Sequence, residues 1–560
     1  MKHMRRFVVL TFVLLALFFI KLNTTTDDYS DVETFRGAHL EQSVFYPLIA
    51  KSINDAGGLT IRFNGEEMAL AADELCLNDN MQVMASLDFI REMFYTCADV
   101  YDETEFRLER NETEYKFYVD SLEGLAGNEQ VELSEKPLVT NSDYYLPLKD
   151  LCELFGYEYS WNMKTAELSI DSTDQTVSSL PRSFDLRKKD RAASIKNQGN
   201  TQTCWAYAAY GAMESSLLPE TVVSLNPKEL IENKPYQYLD NDGGDFAMAL
   251  AYLLSWKGPT VMDEMKHVQE VHFYDTDDID DIKWGVYLYG GVSTSVYINV
   301  SSIGTSSNYN RSTNSYCYQG DSSPNHDVVI IGWNDNYSAS NFTGEVPGDG
   351  AFICQNSWGD SFGEEGVFYV SYYDSNIGNQ AVSYAKIENA DNYDFIDQMD
   401  YCGWRGQIGY NKDDAWGAAI YKASENLELK SCGFYALDKD SKFQVYVVPK
   451  YESQSSLAGR QLVASGTLDS AGYYTIPFLN EVKVDKGNKY AVILYISTPN
   501  QNHPIAIEYE TLNMKSGNVD LSDGTSYVSK NGLDWENIEE TAKGNLCLKI
   551  YGDYREEEEE

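Results

Sequence analysis

The sequence predicts an α+β fold in several modules, and three patterns carry that expectation. Residues 206–213 form a small-residue apolar segment that reads as a helix opening at Cys204, whereas the apolar runs after His326 and before Asn356 read as buried strands. Upstream, the run from Tyr145 reads as a short helix stopped by Gly156, followed by strands around Trp161 and over 168–170. Beyond about residue 395, short alternating segments separated by Gly, Asn, Asp and Ser recur, the pattern of an antiparallel β-sandwich. The 42 tyrosines agree with this weight of β structure.

In chain order, Lys2, Arg5 and Arg6 precede an apolar stretch over 7–20, the layout of a secretory signal and short for a transmembrane helix. No Ala-x-Ala site follows, so residues 1–21 are read as a signal peptide or a membrane anchor; either puts the rest outside the cytoplasm. Residues 22–55 are polar and read as a linker. The alternation from Leu59 into Asn64-Gly65 predicts a strand and a tight turn, opening a small α/β module over 56–172. A central unit over 180–388 and a sandwich over 395–554 follow, and the acidic run at 555–560 is a solvated tail.

The chemistry lies in the central unit. Residues 195–207 read Ile-Lys-Asn-Gln-Gly-Asn-Thr-Gln-Thr-Cys-Trp-Ala-Tyr. A thiol at a helix N-terminus meets the positive end of the macrodipole, which favours thiolate. The amide of Gln198, close behind, suits donation to a developing oxyanion. An isolated Cys is more often a buried structural residue, and a lone His beside a strand is more often packed. Here three motifs stand in order: Gln198 with Cys204, then Ser-Pro-Asn-His-Asp-Val-Val-Ile-Ile-Gly-Trp over 323–333, then Gly-Ala-Phe-Ile-Cys-Gln-Asn-Ser-Trp-Gly over 350–359. Of six histidines, His326 is the one set in such a motif.

This constellation resembles the papain-like cysteine peptidases, in which His and Asn follow the nucleophile by roughly 130–150 residues. His326 and Asn356 follow Cys204 by about 120 and about 150 residues. Leu180 to Arg187 resembles the start of a mature peptidase, Glu214 the acid of the nucleophile helix, and Gly363 to Val370 the closing strand. The Gly291-Val292-Ser293 strand start fits as well. The resemblance implies a two-lobed peptidase, with a helical lobe and a β-barrel-like lobe. It implies Cys204 as nucleophile, His326 as acid and base, Asn356 as the residue orienting the ring, and Gln198 with the Cys204 backbone N–H as oxyanion hole. Gly243 and Gly244 are the expected substrate-pairing glycines, and Trp358, placed with them at the substrate site, is the expected cover of the His–Asn bond. Thr201-Gln202-Thr203 departs from the family's Cys-Gly-Ser, so the usual disulfide there is absent and the cleft rim is altered; Tyr207 for Phe is mild.

Residues 139–171 resemble the copper amine oxidase-like N-terminal module of secreted bacterial proteins, which implies a spacer or stalk and no copper chemistry. The region after residue 395 resembles the lectin-like domain that follows some secreted bacterial papain relatives. That resemblance raises cell-wall or glycan ligands as partners, with Trp404, Trp416 and Trp535 as stacking candidates against a core role. Acids outnumber Lys and Arg by 87 to 43, a net charge of −44, which argues against nucleic acid and anionic membrane surfaces. The nine cysteines leave eight beside Cys204, an even number that permits disulfides. No pair has metal-ligand spacing, so no metal or cofactor is expected. The expected function is a secreted or surface-attached endopeptidase acting on proteins or peptides through a thiolate–imidazolium pair. The alternative is a surface adhesion protein whose peptidase fold serves binding or self-processing; amidase or transglutaminase-like chemistry fits the motifs less well.

Overall fold

The computed structural model describes residues 60–556, apart from 69–73, 79, 141–142, 163–164, 166, 174–175, 177, 236–241, 262–263, 277, 299–305, 510–518 and 523. The segments read as signal peptide or anchor and as linker lie outside the described residues.

In the N-terminal module, strand Thr60–Phe63 turns through Asn64 and Gly65, at φ 51° and 77°, into Glu66–Met68. The left-handed turn is what an Asn-Gly pair supplies most readily. Thr60–Phe63 also pairs in parallel with Glu167–Asp171, so the first and last strands of the module share a sheet. Helix Leu148–Phe155 ends at Gly156 in the left-handed region, φ 80°, where a side chain would be strained. A five-stranded meander packs beside it, and Phe94, Phe106, Phe155 and Leu146 centre the core.

The module is fastened to the central unit through helix Leu87–Phe94 and strand Cys97–Tyr101. Arg91 lies 2.7 Å from Glu220, and Arg191 lies 3.0 Å from Asp99. Lys189 pairs with Glu109, whose carbonyl accepts from the Tyr287 hydroxyl at 2.6 Å. Tyr95 stands edge-on to Trp284.

The central unit is built on helix Cys204–Leu217, which is almost wholly buried. It lies against strand His326–Asn334 at close range because glycines face the contact. A Cβ on Gly211 would meet Val329 at 3.0 Å, and one on Gly291 would meet it at 2.7 Å. Strand His326–Asn334 sits mid-sheet, between Val292–Val296 and Ala351–Gln355. Antiparallel register sets Val329 opposite Gln355, so Asn356, one residue on, returns to the His326 end of its neighbour. Helices Pro227–Asn233 and Phe246–Leu253 complete the helical lobe.

In the C-terminal domain, a six-stranded sheet packs on the sheet formed by Gly472–Val484, Leu427–Ala436, Leu548–Tyr554 and Phe395–Asp397. Most apolar alternating segments read from the sequence fall within strands, as Phe443 to Val448 does in Ser441–Val448, whereas Leu546 to Tyr551 is split at Cys547 between Gly544–Leu546 and Leu548–Tyr554. The second sheet is not separate from the central unit. Tyr474, Tyr473 and Gly472 pair with Glu270, Val271 and His272, so one 14-stranded sheet runs through both domains. All nine cysteines are free thiols, buried except for half-buried Cys76.

Candidate active site

Cys204 opens its helix with Thr203 before it in a non-helical conformation, so its sulfur lies at unpaired N-terminal amides. The backbone N–H groups of Cys204, Trp205 and Asp327 all donate toward the sulfur and favour its thiolate. Burial acts more strongly the other way, and with the Asp327 carboxylate nearby it pushes the thiol up to about 12.

His326 is buried at the start of its strand, with Nε2 2.8 Å from Asn356 Oδ1. That oxygen also accepts from the Ser357 N–H at 2.7 Å. An amide oxygen only accepts, so Nε2 carries the proton and Nδ1 is the nitrogen left for exchange. Burial lowers the ring to about 4, against the favourable hydrogen bond it donates to Asn356. Trp358 lies over the imidazole, ring centroids 4.6 Å apart, and shields the His–Asn bond. Asn356 Nδ2 is buried without a hydrogen-bond partner, a burden of about 1–3 kcal/mol that the orientation of Oδ1 imposes.

Gln198 is clamped on both sides of its amide. Nε2 donates to the Thr201 carbonyl at 2.6 Å, and Oε1 accepts from the Ser357 hydroxyl at 2.5 Å. Its backbone N–H donates to the Ser357 carbonyl at 2.8 Å, so Gln198 is pinned to the segment that carries Asn356. One N–H of the side chain remains for an incoming oxygen. Ser357 is a positioning residue that sequence reasoning passed over, although it sits inside the Asn-Ser-Trp-Gly motif.

Glu214 is fully buried, pairs with Lys196 and accepts from the Leu225 N–H. It ties the Cys204 helix to the segment leading to Gln198. Gly243, at φ 81°, and Gly244 lie beside the helix start; a Cβ on Gly244 would meet the Trp205 indole at 2.4 Å. Trp205 is accordingly packing, as its 2 % exposure agrees. The structure thus brings Cys204, His326, Asn356, Gln198 and Trp358 to one end of the interface between helix and sheet, with Gly243 and Gly244 along its rim. Among the described residues no group of His, Cys, Asp or Glu side chains could hold a metal ion.

Comparison with known proteins agrees with this architecture. Residues 180–387 match the papain family cysteine protease, 62–170 the copper amine oxidase N-terminal domain, and 396–552 the lectin like domain. A cysteine protease of Blomia tropicalis is 28 % identical over 244 residues, covering 38 % of this chain and 68 % of the relative. Ananain of Ananas comosus is 24 % identical over 242 residues, covering 41 % of this chain and 64 % of its own length. The clostridial cysteine protease Cwp84 after propeptide cleavage superposes with a TM-score of 0.59 at 22 % identity, over 66 % of this chain and 99 % of that one. A structure of the cysteine protease and lectin-like domains of Cwp84, a surface layer associated protein of Clostridium difficile, gives 0.57 at 21 %, over 67 % and 89 %. These two likenesses show the fold.

Proposed function

We propose that this papain-like cysteine peptidase hydrolyses peptide bonds with Cys204 as nucleophile, outside the cytoplasm or at the cell surface. The observation that carries the reading is the lock on His326: Asn356 holds the Nε2 proton and leaves Nδ1 free to take one from the cysteine. Burial favours the neutral pair, so the ion pair forms by a single internal proton shift from sulfur to Nδ1. The three amides at the sulfur and the helix N-terminus stabilise the thiolate that results. Attack on the scissile carbonyl places its oxygen between the remaining Gln198 N–H and the Cys204 backbone N–H. The imidazolium returns its proton to the leaving amine, and neutral His326 then activates water to release the acyl group.

The surface location is supported by the basic-led apolar N-terminus and by the surface-layer association of Cwp84. Among the described residues no helix is long and apolar enough to cross a membrane. Glycan or wall binding by the C-terminal domain rests on its lectin-like family match.

The test is stoichiometric labelling by an epoxide affinity probe for papain-like enzymes, followed by intact mass, with Cys204→Ala alongside. One adduct in the wild type and none in the variant is expected. A folded wild-type protein that takes no label would overturn the reading and favour a binding role.

A further inference from the structure

The cleft holds a charge that this chemistry does not use. Asp327 follows His326 directly and stands opposite Ser295 in the sheet, whose hydroxyl donates to Asp327 Oδ1 at 2.5 Å. The same hydroxyl lies 3.4 Å from the amide of exposed Gln380 at the rim. Asp327 is half-buried, and among the described residues no lysine or arginine offsets it. The charge that acts on it is another acid, Asp245, which stands at the start of helix Phe246–Leu253 in the helical lobe. Asp245 follows Gly244, the glycine that abuts Trp205 beside the nucleophile, and its carboxylate caps helix Phe246–Leu253 through the Met248 N–H. The cation of Asp245 is Arg405 of the C-terminal domain, at a long 3.5 Å.

A carboxylate at 327 has two adverse effects. It is desolvated beside a like charge, and it opposes thiolate formation at Cys204. A serine or asparagine would satisfy the fold, since Ser295 needs only an acceptor. A cleft acid without a countercharge inside the chain calls for one from outside it.

We propose that Asp327, with Asp245 across the cleft, forms a subsite for a lysine or arginine side chain of the peptide substrate. This rests on Cys204 being the nucleophile. An arriving cation neutralises Asp327 and relieves the Cys204 thiol in the same step, so that recognition and activation are coupled. The −44 net charge of the chain draws basic peptides toward the same cleft.

The experiment uses the full chain and neutral-capped fluorogenic tetrapeptides in which each position upstream of the scissile bond carries Arg, Lys or Leu in turn. Asp327→Asn keeps an acceptor for Ser295, and Asp245→Asn keeps a helix cap. Epoxide labelling of Cys204 is measured in each. The wild type should prefer Arg or Lys over Leu by about tenfold or more in kcat/KM at one position, and Asp327→Asn should reduce that ratio by about tenfold, the factor for one ion pair of about 1.4 kcal/mol. Asp245→Asn should reduce it by about threefold, since Arg405 already shares that charge. The wild-type preference should also fade on acidification through about 7, where Asp327, facing Asp245, Cys204 and His326, takes up a proton. A flat profile with labelling intact, or an Asp327→Asn loss equal for Arg and Leu peptides, overturns this inference alone. Absent labelling overturns the peptidase reading and this inference with it.

Discussion

The peptidase unit is joined to its two neighbours by different means. Toward the N-terminus the junction is made of side chains: Arg91 and Arg191 meet Asp99 and Glu220, Lys189 meets Glu109, and Tyr95 meets Trp284. Toward the C-terminus it is made of backbone, with the sheet continuing from Glu264–Tyr274 into Gly472–Val484. Aromatic rings close over that seam: Trp256 stacks between His267 and Tyr551, and Phe273 packs on Trp404 and Tyr435. An ionic junction depends on every partner being present, because one charge left behind in a buried site is costly. A shared sheet has no single weak partner, and its loss leaves an open edge.

The largest expected contrast is between the two truncations. Ending the chain at residue 395 exposes the Glu264–Tyr274 strand and strips the cover from Trp256 and Phe273, so the product should aggregate. Starting the chain at residue 178 bares a mostly polar face, and that product should remain soluble with a lowered thermal midpoint. Soluble yield and light scattering compare the two; equal behaviour would erase the distinction. Next in size, Arg191→Met leaves Asp99 buried with Arg91 at 3.8 Å as its remaining cation, and should destabilise the chain by about 3–5 kcal/mol. Adding Asp99→Leu should recover more than half of that in a denaturant-unfolding cycle; no recovery would mean that packing, not charge, holds the junction.

A third test probes the seam by pH. Glu508 is buried within the C-terminal domain, where it accepts from the Cys402 N–H and the Asn545 amide beside the cluster that Cys402 and Cys547 share with the peptidase unit, and desolvation together with Asp400 raises its carboxyl to about 8. A carboxyl raised on folding holds its proton more tightly when folded, so its stabilising effect is full below its unfolded value and declines as pH rises to about 8. Glu508→Gln should flatten that decline, and its thermal midpoint should exceed that of the wild type at pH above about 8 by a few degrees. A variant that is less stable at every pH would assign the residue a purely hydrogen-bonding role. The smallest effect is expected at Lys439, which spans the same seam to Asp278 and Asp281 but is 40 % exposed. Lys439→Ala should change stability by less than about 1 kcal/mol in denaturant unfolding.

The placement of most candidate residues was legible because they stand in contiguous motifs. Cys204 opens a helix, His326 opens a strand and Asn356 follows one, and the antiparallel register of two neighbouring strands does the rest. Ser357 and Asp327 were passed over, although each adjoins a residue that was picked out. Ser357 acts through Gln198, which is distant in sequence, and Asp327 is conspicuous only once Ser295 and Asp245 are seen around it. The seams were not legible. Pairing of residue 272 with 472 is non-local and leaves no periodic trace, and a spacer module and a firmly docked one have the same alternation of strands. The Arg191–Asp99 contact is hidden for the same reason, since burial of a charge depends on a partner from another module.

The nine free thiols have a consequence for where such a molecule can operate. Its architecture contains no covalent cross-link, so a medium reducing enough to keep Cys204 as a thiol leaves every domain and both seams intact. Oxidants, conversely, find eight of the nine thiols buried and meet chiefly half-buried Cys76, with Cys204, at 7 % exposure, the least sealed of the other eight. Loss of activity by oxidation would therefore come without unfolding, and a reductant would restore it as long as the sulfur had gone no further than sulfenic acid or a mixed disulfide.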